Sequence, residues 1–119
     1  MLALIQGEPG SEVVAAVLDT AVMHSVNAFE VLRKLTREGV PADTVASLLD
    51  ELNILIVEDV PAIQVKSAGP LLAQAEKLGL SLGDCVCLLL GERMNAVILT
   101  AEKRWSNVRL QAGEVRQIR

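Results

Sequence analysis

The sequence has no tyrosine, one phenylalanine and one tryptophan, so aromatic residues make up only 2% of its 119 positions. Its core must therefore come from Leu, Val, Ile and Ala, the set that fills helix-covered parallel sheets and helical packings. Cysteine is scarce too: Cys85 and Cys87 stand two apart in one apolar run. On a helix such residues point in different directions, which argues against a disulfide between them and against a secreted, disulfide-stapled scaffold. They read as reduced thiols of a cytoplasmic protein, one in the core and one at the surface. Cys-x-Cys without a second Cys or His pair is too little for a zinc site. Long apolar runs are also missing. Met1-Leu-Ala-Leu-Ile-Gln6 and residues 85–90 are each too short for a signal core or a membrane span. There is no excess of basic charge. A net charge of −4 excludes a protein that coats nucleic acid, though not an enzyme that holds RNA locally. The single histidine, His24, falls at the end of a candidate strand beside Met23 and reads as structural rather than as a general base.

What is present is a 51% hydrophobic chain of ordinary single-domain length. Its segments alternate. Gly7-Glu8-Pro9-Gly10 is a turn, and Ser11 suits the cap of a helix over 12–18. A short buried strand is expected over 21–24. Asn27 then suits the cap of a helix over 28–38, with Phe29, Leu32 and Leu35 on one face and Gly39 at its end. Pro41 opens a helix over 42–52, and Ile54-Leu-Ile-Val57 reads as a buried strand. A helix over 61–78 should break at Gly69-Pro70. Ser81 caps a helix over 82–93, and strands are expected over 96–99 and 115–118. Strands alternating with helices predict one α/β domain over 1–119, a parallel sheet with helices on both faces.

In a parallel sheet, ligands gather beyond the carboxyl ends of the strands. Three acids fall in such places. Glu30 lies one turn or so after the strand ending at His24, Asp84 in the first turn of the helix over 82–93, and Glu102 three residues past Leu99. Taken singly, each has an ordinary structural explanation: an ion pair at the core edge, a charge complementing a helix N-terminus, a solvated loop residue. Taken together, converging carboxylates need a cation, and hard oxygen ligands select Mg²⁺ or Mn²⁺. Lys103 and Arg104 beside Glu102 suit either phosphate contacts or a solvated loop. Trp105 suits base stacking or packing. Arg33, Lys34 and Arg37 read as a solvent-facing stripe or the border of an RNA groove.

Three stretches carry a resemblance. Ser25-Val-Asn-Ala-Phe-Glu30-Val-Leu looks like the second-acid motif of PIN domains. Gly79-Leu-Ser-Leu-Gly-Asp84 is similar to their third-acid motif, and Val97-Ile-Leu-Thr-Ala-Glu102-Lys-Arg-Trp105 resembles the strand and following loop that hold the fourth acid. The order and the gaps fit as well. The resemblance implies a PIN-like three-layer α/β sandwich and a metal-dependent endoribonuclease of the VapC-like toxin type, with Mg²⁺ or Mn²⁺ activating water to cleave RNA. On this likeness Glu30, Asp84 and Glu102 are catalytic acids and metal ligands. Asn27, Thr100, Lys103 and Arg104 orient ligands or hold the scissile phosphate. The implied partners are RNA and a small antitoxin protein.

The chain departs from the family pattern in two places. The family's opening central strand and its Asp would lie about four positions ahead of Met1, so a homo-oligomer, strand exchange between chains or a rearranged sheet is expected. A truncated, non-catalytic PIN domain used for interaction or oligomerisation is the alternative. In addition, Glu102 stands where the family usually has Asp. The added methylene moves the carboxylate by ~1.5 Å, a shift that octahedral Mg²⁺ tolerates poorly.

Overall fold

In the computed structural model, which describes residues 1–119, the chain divides into two units, Met1–Glu58 and Asp59–Arg119. The first unit begins with two short helices, α1 (Leu2–Gln6) and α2 (Ser11–Ala15). Gly10 rather than Ser11 stands at the cap of α2, with φ at 92°, a backbone setting that only glycine enters without strain. After a tight helical turn, β1 (Val22–His24) leads straight into α3 (Ser25–Arg37). This helix starts before Asn27 because another residue caps it: His24 Nδ1 accepts the Val26 N–H at 3.1 Å. Asn27 is thereby drawn into the first turn.

The buried stripe of α3 also differs from the expected one. Val31 and Leu35 are buried, whereas Phe29 is 64% exposed. Six residues advance a helix by about 600°, which leaves Phe29 roughly 120° away from Leu35, while four residues return almost to the same direction. Val31 and Leu35 pack with Val45 of α4 (Ala42–Glu51), and Met1, Leu2, Ile5, Leu32, Val40 and Leu49 close around them. Burying each of the three central side chains stabilises the unit by about 1.5–3 kcal/mol. Asn53, at φ 51°, turns the chain into β2 (Leu55–Val57), which pairs parallel with β1, Val22 opposite Leu55 and His24 opposite Val57. Leu55 is nonetheless 62% exposed. A β-branched run reports a preference for the pleated backbone, and β2 has β1 as its only strand neighbour.

In the second unit, the expected break falls at Ala68, between α5 (Ala62–Ser67) and α6 (Gly69–Leu78). Pro70 lacks an N–H and its ring clashes with the carbonyl four residues back, so it is accommodated only in the first turn of a new helix. Gly79, at φ 63°, ends α6. Helix α7 (Leu82–Met94) is buried along most of its length and ends at Asn95, φ 49°. Its Leu88 is fully buried in a cluster with Ala68, Leu71, Leu89, Ile98, Trp105 and Val108. Strand β3 (Val97–Thr100) pairs parallel with β4 (Glu114–Gln117), Val97 opposite Glu114 and Thr100 opposite Gln117. Gly91 makes the approach of α7 to β3 possible, since a Cβ there would overlap the Ile98 side chain. Gly113, at φ 82°, brings the chain into β4, and its N–H donates to Asn95 Oδ1 at 2.9 Å. The strands thus form two separate two-stranded parallel sheets rather than the one sheet that the alternating pattern predicts. No helix is long and apolar enough to cross a membrane.

Candidate active site

In the first unit, β1 ends on His24, and the residues of interest follow within two turns of α3. His24 is buried and caps the helix, which is the structural role expected of it. Asn27 and Glu30, three apart, share a face, and Asn27 Nδ2 donates to Glu30 Oε2 at 3.2 Å. Both are half-buried. The amide therefore orients the carboxylate. Arg33, Lys34 and Arg37 are exposed farther along α3, on the solvent side of the stripe made by Val31 and Leu35.

In the second unit, the loop from Gly79 to Ser81 delivers Asp84 into the first turn of α7. Asp84 Oδ2 accepts the Ser81 N–H at 2.8 Å, and Ser81 Oγ accepts the Asp84 N–H at 3.1 Å. This is a reciprocal capping box with aspartate in the place where glutamate is commoner. It uses one carboxylate oxygen of Asp84. The sequence signal was Ser81 followed three residues later by an acid, ahead of an apolar run.

The loop after β3 is built around Thr100, which is buried at the strand end. Its Oγ1 accepts the Glu102 N–H at 3.0 Å, fixing where the acid leaves the strand. Glu102 in turn caps the helical turn Lys103–Asn107, its Oε1 accepting the Arg104 N–H at 3.2 Å. Gln117 Nε2 of β4 donates to the Glu102 carbonyl at 3.1 Å. Trp105 is buried in the core cluster, so of its two expected uses the structure shows packing. Lys103 is exposed.

Arg104 ties these parts together. Its Nε donates to Glu102 Oε1 and its Nη2 to Glu102 Oε2, both at 3.0 Å. Its Nη1 donates to the Gly79 carbonyl at 2.8 Å and to the Leu78 carbonyl at 3.4 Å. One guanidinium thus joins the acid after β3 to the loop that leads to Asp84. The Arg104 hydrogen bonds hold the Glu102 carboxyl below the usual carboxylate range. The Arg104 pKa is pushed up in return, chiefly by its hydrogen bond to Glu102, with a smaller contribution from the charge of Asp84. Sequence reading placed Arg104 beside the acid but missed this fork. Two residues apart in a loop is not a spacing with a fixed geometry, and the carbonyls that complete the contact come from some 25 residues away.

Cys85 is buried and Cys87 half-buried, and neither is in a disulfide. Burial, and secondarily the neighbouring charge of Asp84, push the Cys85 thiol up. No three His, Cys, Asp or Glu side chains are grouped so as to hold a metal ion. A shallow groove of about 260 Å³ in the second unit is lined by Ile63, Gln64, Glu92, Arg93 and Gln111 among others. Asp84 and Glu102 do not line it, and its polar groups already have partners: Arg93 pairs with Asp59, and Glu92 accepts the Gln111 N–H.

No curated protein and no solved structure was found to match the chain. The family model of the PIN domain matches residues 1–110, a span that takes in all three acid-bearing stretches and nearly the whole sequence. The chain therefore belongs to the PIN-domain family, an α/β fold whose members are generally nucleases.

Proposed function

We propose that this chain is a metal-dependent endoribonuclease of the toxin type, with Glu30, Asp84 and Glu102 as its catalytic acids. The observation that carries this reading is the placement of Asp84 and Glu102, each held by hydroxyl and backbone contacts at the start of a helix or just past a strand end. PIN-domain nucleases generally use divalent metals, whereas the acids of this chain are not grouped as a metal-holding cluster; the metal-dependent reading is supported by the family and by the chemistry of the donors. The donors are carboxylate oxygens, which hard cations prefer, and those of Glu102 are held by the Arg104 guanidinium in this structure. When bound, Mg²⁺ or Mn²⁺ supplies the charge that activates water and offsets the negative charge developing on the phosphodiester.

The chain's own groups have separate duties in this reading. Asn27 fixes the Glu30 carboxylate through its amide, and Thr100 fixes the backbone of Glu102. Lys103 and Arg104 would hold the scissile phosphate. The partners are RNA, a small antitoxin protein and a second copy of the chain. A second copy is favoured by the sheets: each strand has a single strand neighbour, and open strand edges are templates for pairing. A second functional reading, a non-catalytic interaction domain, is favoured by one observation: both oxygens of Glu102 are taken by Arg104.

Cleavage of single-stranded RNA with Mn²⁺ and with excess chelator separates the two readings. The nuclease reading expects cleavage in metal alone, reduced by roughly a hundredfold or more in Glu30→Gln and in Asp84→Asn, the scale of losing a catalytic group. Cleavage that persists in chelator and in both variants refutes it. An inert protein that still forms dimers in sedimentation supports the interaction reading.

A further inference from the structure

All the basic side chains of the first unit, Arg33, Lys34 and Arg37, fall on α3, although acids outnumber bases in that unit. They are exposed, and none is in an ion pair. Glu38, next to Arg37 in the chain, instead accepts from Gln6 Nε2 at 2.7 Å. Arg33 and Arg37 lie one turn apart, a spacing at which like charges repel. The helix dipole favours cations in the last turn, which accounts for Lys34 and Arg37 but not for Arg33. Phe29 continues the same line one turn earlier. Each step, from 29 to 33 and from 33 to 37, is about 6 Å along the helix axis. Phe29 is 64% exposed, the only phenylalanine of the chain. Its ring thus stands in water in line with two guanidinium groups that lack a counter-ion.

We propose that Phe29, Arg33 and Arg37 form a docking line for single-stranded RNA, with the arginines on phosphates and the Phe29 ring against a base. The inference rests on the ribonuclease reading and extends it, because Phe29 adjoins Glu30 in α3. The ring decides for RNA over an acidic peptide. An unpaired base offers a flat face to an exposed aromatic, and the guanidinium fork matches a phosphate. A duplex hides those faces in its own stack, so the line selects single strands. Lys34, about 100° round the helix from Arg33, adds charge beside the line.

Binding of a labelled single-stranded RNA of about 12 nucleotides to the full chain, in chelator and over a range of salt, tests this without cleavage. Phe29→Ala is expected to weaken binding roughly fivefold or more, the scale of losing one stacked base, and to leave the salt dependence unchanged. Phe29→Trp should bind as the wild type does. Arg33→Gln and Arg37→Gln should each lower the slope of log affinity against log salt by about 0.7. Lys66→Gln, the same change of charge on α5 of the second unit, should do neither. Phe29→Ala, Arg33→Gln and Arg37→Gln binding as tightly as the wild type, or no more weakly than Lys66→Gln, overturns the docking line. Metal-dependent cleavage retained by the same variants would then leave the ribonuclease reading in place. No RNA binding by the folded wild type also overturns the line, and a dimer that Arg33→Gln dissolves would assign this face to a second copy instead.

Discussion

Ser81 and Asp84 bond to each other across the first turn of α7, each side chain accepting the other's backbone N–H, at 3.1 and 2.8 Å. Asp84 thus has a structural duty in its own helix. One oxygen satisfies a backbone donor that the helix start would otherwise leave open, and the carboxylate complements the positive end of the helix dipole.

Ser81→Ala removes one half of this box and should lower stability by about 1 kcal/mol, the usual scale for an N-cap. Denaturant unfolding checks the figure. Ser81→Asp, which restores an accepting oxygen, should recover most of the loss. A Ser81→Ala protein as stable as the wild type would show that the box contributes nothing net. The same variant is a control for Asp84→Asn, since a purely structural effect of that change should not exceed the loss caused by Ser81→Ala.

Gly91 is required by Ile98. A methyl group at Gly91 overlaps the Ile98 side chain, and overpacking of this kind costs about 1–3 kcal/mol. Gly91→Ala should therefore lower the melting temperature. Ile98→Ala alone leaves a cavity beside Leu88 at a cost of about 2–5 kcal/mol. Combining the two should be less damaging than the sum of the single changes, because the new methyl enters the space vacated. Strict additivity would deny the contact.

Cys85 should be the slower of the two thiols. Burial disfavours its charged form, and the nearby Asp84 carboxylate adds to the effect. The thiolate is the reactive species, so labelling of the native protein by a disulfide reagent at neutral pH should reach Cys87 well before Cys85. The sign for stability follows. A folded-state pKa raised above the unfolded value gives a contribution that is complete below the unfolded thiol pKa and is lost as pH rises through the folded one. Stability should therefore decline on the alkaline side, and Cys85→Ser should flatten that decline. Equal labelling rates at neutral pH would contradict the placement of Cys85.

Much of the local structure was legible in the sequence, because local rules govern it. Ser81 three residues before Asp84 announces a cap, and Gly69-Pro70 announces a break. The PIN likeness was carried by short stretches whose geometry is local, and the family match bears it out over residues 1–110. Where a neighbour competes, local reading fails. Asn27 suits a helix cap, but His24, arriving from β1, takes that place and leaves Asn27 to hold Glu30.

The sequence by itself determined most of the longer elements, which family the chain belongs to and which acids stand past strand ends and at helix starts, since periodicity and capping act over a few residues; the short helix Leu2–Gln6 and the turn Lys103–Asn107 were not read from it. Only the tertiary structure decided how the strands pair and that Val31 rather than Phe29 faces the core of its unit. It alone decided that Glu102 is held in the fork of Arg104, with the Gly79 carbonyl completing the contact. Each of these depends on groups brought together from distant parts of the chain. No spacing in the sequence encodes such a meeting; it is settled by which hydrogen bonds and apolar contacts the folded backbone leaves available.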